Sequence, residues 1–328
     1  MKSVMNIKEV SQLILEHKYL FLAGSYDALS QLPKGNWIGG TIPYFMTPDG
    51  GTISDDIIQV TQIPQESLSI KIKEYDENTL SQIPENYFEN GFSLIVIPAF
   101  SKSHQLFAKN CTTWAKLFNQ PLVGWITGSN LSIQNEKPQI INGQSGQFSQ
   151  EKVLTMHVQL NQDHFAEAKI VNIFQQGNGD SLSFLESGFE VREVLVNNQK
   201  TNLADYLVSN KIDLQLPLVA NYLGAMINVS FKEIDHSQKL VRFYAPVFPG
   251  VEYKIANSLT HYEEQFENAI LQKKITNPTY SCNCILNFLY AKLEGKKMGP
   301  FSYAMTFGEI AYMLLNQTFV YLDIKRKP

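Results

Sequence analysis

The chain has 328 residues, a net charge of −4 and a pI near 5.9. At about 150 residues per domain this length suggests two domains. The Lys/Arg residues cluster only at Lys325, Arg326 and Lys327, which disfavours nucleic acid as a partner. The longest apolar runs, such as Leu94–Phe100, are strand length, too short for a membrane span of roughly 20 residues.

Hydrophobic residues make up 44% of the chain and charged residues 18%; the missing surface polarity is supplied by 25 Asn and 23 Gln, spread without a low-complexity block. Lys8, Glu9, Glu16, His17 and Lys18 interrupt the first twenty residues, unlike a signal peptide. Cys111, Cys282 and Cys284 cannot form a disulfide scaffold, so a reducing, cytoplasmic compartment is expected.

Residues 6–17 have Ile7, Val10, Ile14 and Leu15 at helical spacing and predict an amphipathic helix. A buried strand is expected at 19–23, a short helix ending at Leu32-Pro33, and a strand at 37–44. Pro48-Asp49-Gly50-Gly51 is a turn, followed by strands at 56–62 and 68–75. A buried strand at 93–99, a helix at 101–119 and a strand at 121–126 come next. Strand, helix, proline, strand and glycine thus occur in the same order twice, a hint of an internal βαβ duplication with parallel strands in each copy.

Gln176–Ser181 reads as a linker, dividing the chain into halves at 1–180 and 181–328. The second half predicts strands at 191–196, 225–231 and 240–246, helices at 201–209, 258–272 and 280–294, and a last strand at 318–324. The fold class is α/β or α+β: two mixed-sheet halves, helices packed on the sheets, and a cleft between them.

Phosphate loops, dinucleotide fingerprints, zinc-binding motifs and nucleophile elbows are absent, so no cofactor and no metal is expected. Cys282-Asn283-Cys284 could hold a soft metal or do redox chemistry, but no His or third Cys stands near in sequence. In a helix these two thiols would point about 200° apart. The six histidines are scattered. His104 is the most interesting, because it follows a buried strand at the start of a helix, where α/β sheets place ligands. A Cys–His enzyme could be built from Cys282 with His104 or His261. Phe307-Gly308-Glu309-Ile310 could put a carboxylate at the mouth of a cleft, or could be a turn followed by a helix-start Glu. Asn316-Gln317-Thr318 matches a glycosylation sequon, for which a buried-amide or helix-end role is expected instead.

These last pieces occur together in an order that resembles the C-terminal half of FIST sensory domains: Tyr280-Ser281-Cys282, then Phe301-Ser302, Thr306–Ile310 and Leu315–Val320. Val194–Leu207 and Val241–Val251 resemble that family's upstream strand-plus-helix and proline-glycine turn, so the likeness covers about residues 190–325. The Gly-containing strand ends at Trp37–Thr41 and Val123–Gly128 are similar to its N-terminal region.

The resemblance implies a two-part cytoplasmic domain that binds a small metabolite, an amino acid or a relative of one, and signals through a separate output protein. It places the ligand among Cys282, Glu309, Asn316, Gly308, Phe307, Arg242, Gly40, Thr41 and Trp125. The family commonly has an Arg shortly after the Ser-Cys, where this chain has Cys284-Ile285-Leu286; if that Arg holds a carboxylate, this chain uses another cation, for which Arg242 could substitute, or binds a different ligand. Two rivals stand beside the sensor reading, which is not an enzyme: a Cys282- or Glu309-dependent enzyme using the same cleft, and an interaction module without a small ligand.

Overall fold

The computed structural model describes residues 3–64, 67–222 and 225–327. It is a mixed α/β fold with several mixed sheets and few helices packed on them.

The duplication hinted at in the sequence is present, and a third copy joins it. Leu20–Gly24, the helix Tyr26–Ser30 and Trp37–Thr41 form one βαβ unit, with the two strands parallel. Gly91–Ile97, the helix Lys102–Asn110 and Leu122–Ile126 form the second. Tyr280–Cys284, the helix Ile285–Tyr290 and Tyr303–Thr306 form the third. The first two units turn from strand to helix in the same way. Ser25 accepts from the Ala28 N–H and Ser101 from the His104 N–H, each a side-chain cap on an orphan helix donor. Cys284 holds that position in the third unit and makes no such cap.

Each unit is extended identically into a six-stranded sheet. A later strand returns antiparallel beside the first strand of the unit: Ile57–Gln62, Val153–Leu160 and Phe319–Arg326 respectively. An outer strand then flanks the returning one: Val4–Asn6, Ser67–Tyr75 and His164–Val171. On the other side, the second strand of each unit pairs with a hairpin taken from a different unit. The hairpin Tyr44–Thr47/Gly50–Ile53 of the first copy joins the third sheet. Ile140–Asn142/Gln147–Ser149 of the second joins the first sheet. Glu309–Ala311/Met313–Leu315 of the third joins the second sheet. The exchange is cyclic, so the three sheets form one interlocked body with pseudo-threefold topology. Two of these sheets draw strands from both sides of residue 180.

The exchange closes where the unit strands end. The Gly128 N–H donates to the Thr41 carbonyl and the Thr41 hydroxyl to the Gly128 carbonyl at 2.7 Å; the Phe307 N–H donates to the Ile126 carbonyl. A Cβ on Gly40 would sit 2.5 Å from Thr127 and 2.9 Å from Trp125, so a side chain here would need its neighbours to move.

Between Val171 and Tyr262 the third copy carries an insertion. It contains a six-stranded sheet and a separate three-stranded sheet of Gly188–Val191, Leu240–Val247 and Phe231–Asp235. Buried amides tie it to the body. Ser230 donates its hydroxyl to Gln317 Oε1 at 2.7 Å, the Asn228 amide donates to the Gln317 carbonyl, and Gln317 donates to the Gln215 carbonyl.

Three predicted elements differ in kind. Residues 280–294 are not one helix: Tyr280–Cys284 is a strand, buried at every position and paired on both edges, and the helix is only Ile285–Tyr290. The pairing on both edges overrides the apolar spacing that reads as helical. The predicted helix at 101–119 ends at Asn110 and continues as 3₁₀ turns, with Lys116 in the left-handed region (φ 65°). The predicted strand at 37–44 breaks at Ile42-Pro43, because Pro43 cannot continue the ladder and Tyr44 enters another sheet.

Candidate functional site

One feature with ligand dimensions is a cavity of about 700 Å³. Its volume lies within the usual range for small-molecule sites. It opens at the C-terminal ends of the first strands of the second and third units, where open α/β sheets place ligands. The second unit contributes Ala99, Phe100, His104, Gln105 and Lys109. The helix of the third contributes Ile285, Leu286 and Leu289, with Phe307 nearby. The three-stranded sheet of the insertion roofs it with Phe189, Glu190, Lys232, Arg242 and Tyr244.

His104 is placed by the local chain. Ile97 ends a fully buried strand, Ser101 caps the helix, and His104 falls in its first turn, 7% exposed. Phe100 sits between them in the left-handed region (φ 65°), strained backbone for an aromatic residue. That conformation turns the Phe100 N–H toward the ring, where it donates to Nδ1 of His104 at 3.2 Å. With Nδ1 accepting, the proton of the neutral ring belongs on Nε2, by hydrogen-bond inference. Nε2 is buried and has no hydrogen-bond partner among the described residues. Burial pushes the His104 pKa down to about 4, so the ring is neutral near pH 7. A buried donor left unmade costs about 1–3 kcal/mol.

Phe307 and Arg242, both expected at the ligand, line this cavity. Arg242 is not a free cation. Its Nε donates to Glu190 at 2.7 Å and its Nη1 to Glu233 at 2.9 Å, with Asp235 at 3.7 Å. Lys109 and Lys232 are exposed and form no ion pair among the described residues. Each ammonium lies over an aromatic wall residue, Lys109 5.9 Å from the Phe189 ring centre and Lys232 5.5 Å from that of Phe100.

The other expected residues lie elsewhere; Cys282 and Glu309 are in the packed interior of the second and third sheets. Glu309 is fully buried, paired in register with Trp125. Its Oε2 accepts from the Thr318 hydroxyl at 2.8 Å and the Thr318 N–H at 3.1 Å, and the Cys284 thiol also lies against the carboxyl. Burial lifts its pKa to about 8, and the Thr318 bonds only partly offset this. Because Tyr280–Cys284 is a strand, Cys282 and Cys284 project to the same face. Burial pushes both thiols well above the ordinary thiol range, and an ionised Glu309 would push them further in the same direction. Cys282 Sγ donates to the Gly124 carbonyl at 3.6 Å.

Cys282 and Glu309 therefore converge, but neither lines the cavity, and no group of three metal-ligating side chains surrounds them among the described residues. Gly308 bridges at backbone level, its carbonyl accepting from the Ile126 N–H. Asn316 is a fully buried amide, its Oδ1 accepting from Ser230 N–H at 3.4 Å, so the sequon is inaccessible in the fold. Gly40, Thr41 and Trp125 belong to the strand ends where the units interlock.

Sequence reasoning missed Phe100, Lys109, Phe189 and Lys232. Only tertiary packing brings the insertion over the second unit. No helix among the described residues is long and apolar enough to cross a membrane.

No curated protein and no solved structure matches the chain. Residues 5–325 match a family described as being of unknown function, DUF6976, and the chain belongs to that family.

Proposed function

We propose that the chain is a small-molecule-binding sensory protein whose ligand occupies the cavity between the second unit, the third unit and the insertion. One observation carries this reading: a concave site of about 700 Å³ is lined by a buried histidine whose remaining donor has no partner among the described residues. The resemblance to FIST domains supports the sensory role and the ligand class, an amino acid or related metabolite. A ligand gripped by both the body and the insertion would bias their relative positions by its differential affinity, and a separate output protein would read that bias in the cytoplasm.

The cavity favours binding over thiol catalysis. Cys282 is 1% exposed and does not line it, and a thiol held that far above its ordinary pKa is a poor nucleophile. An interaction module would show a large exposed apolar patch.

The test is a thermal-shift screen against amino acids, short peptides and central metabolites, with Ser187→Trp as the blocked control. Ser187 is exposed at the cavity wall, so the indole fills the mouth without entering the core. A ligand at 100 times its dissociation constant should stabilise the protein by about 2.7 kcal/mol. Stabilisation of the parent and not of Ser187→Trp supports the reading. A flat screen, or hits that Ser187→Trp retains, refutes it.

A further inference from the structure

The polarity of the cavity is graded. His104 lines the wall, and its buried Nε2–H has no partner among the described residues. The helix of the third unit supplies an apolar surface through Ile285, Leu286 and Leu289. The exposed lysines 109 and 232 carry the uncommitted charge, since Arg242 is already held by Glu190 and Glu233. A ligand charge buried beside a neutral imidazole would lose its hydration without a counter-ion. The same charge at the rim keeps its water and meets two ammonium groups.

We infer that the ligand is an amphipathic carboxylate: its apolar body lies on Ile285, Leu286 and Leu289, an uncharged acceptor such as an amide carbonyl takes the His104 Nε2–H, and its carboxylate stays at the rim with Lys109 and Lys232. This rests on the reading of the cavity as the ligand site. The lysine stems are long and flexible, so they select charge sign more than shape. His104 is held by the Phe100 N–H and by its edge-on contact with Phe189 at 6.1 Å, so it selects position. Shape and charge discrimination are thereby assigned to different residues.

Three matched probes separate these contributions: N-acetyl-L-phenylalanine, its methyl ester, and 3-phenylpropanoate. The first has body, acceptor and carboxylate; the second lacks the charge; the third lacks the amide acceptor. Calorimetry on the full chain at low salt should rank the first tightest, by about tenfold over 3-phenylpropanoate, the worth of one well-made hydrogen bond. His104→Phe should erase that tenfold preference and leave the acid-over-ester preference intact. His104→Gln, which keeps an N–H donor, should retain most of it, and agreement of its unfolding midpoint with the parent excludes a folding artefact. Lys109→Met/Lys232→Met should erase the acid-over-ester preference, and added salt should weaken the acid and not the ester.

Equal binding of acid and ester, or a ratio that His104→Phe leaves unchanged, overturns the inference. If none of the three binds while uncharged or cationic compounds stabilise the parent and not Ser187→Trp, the carboxylate assignment falls and the ligand site stands. If nothing binds at all, both fall.

Discussion

Glu309→Gln should stabilise the protein, and increasingly so as the pH rises. The carboxyl is fully buried, accepts two bonds from Thr318 and lies against the Cys284 thiol. Its pKa is raised from 4.5 to about 8, burial being the largest cause. The folded state therefore binds a proton that the unfolded chain releases near pH 4.5. Between those two values stability falls as pH rises, by about 1.4 kcal/mol per pH unit, and above about pH 8 the loss is complete. From about pH 5 to about pH 7.5 the loss amounts to about 3 kcal/mol. Glutamine reproduces the neutral acid: its carbonyl can accept both Thr318 bonds, and it does not titrate. Urea unfolding of both proteins across this pH range checks the point, because every other titrating group cancels in the difference. The advantage of the variant should grow by about 3 kcal/mol over the range. A difference that stays constant, or that shrinks as the pH rises, would show that the folded carboxylate is ionised and held by its neighbours, and would refute the argument.

Two other predictions concern packing. In the folded protein Cys111, Cys282 and Cys284 should resist iodoacetamide near neutral pH, since all three are buried with thiols pushed up by burial, and all should label once guanidinium unfolds the chain; rapid native labelling of Cys282, read by mass spectrometry, would revive the thiol-enzyme reading. Gly40→Ala should cost about 1–3 kcal/mol, because its Cβ would lie 2.5 Å from Thr127 and 2.7 Å from Val96 where the units interlock, whereas Gly179→Ala, with no atom within 4 Å, should be neutral. An unchanged urea midpoint for Gly40→Ala would mean that the interlock is loose.

Local physics made much of the fold legible in the chain. The strands around Leu20–Gly24, Gly91–Ile97 and Leu122–Ile126 are continuous apolar runs, buried along their whole length. The helix Ile7–Leu15 carries its own cap and buries Val10 and Ile14 from one face. The place of His104 at a strand-to-helix junction was legible because strand, cap and helix start are adjacent in sequence. The two βαβ copies were legible for the same reason. The third was not, because its strand Tyr280–Cys284 runs directly into a helix, and apolar residues continue through both without a break in spacing.

What the sequence by itself determined is the class of elements, the absence of standard catalytic motifs, and the position of one buried imidazole at a strand end. The tertiary structure alone decided which hairpin joins which sheet, since pairing partners from Tyr44–Thr47 to Tyr303–Thr306 are hundreds of residues apart and no local preference specifies them. It also decided that Glu309 and the two thiols lie inside, while Lys109, Phe189 and Lys232 meet around the cavity. Burial and the meeting of distant surfaces are properties of the assembled chain; spacing along it reports only neighbours.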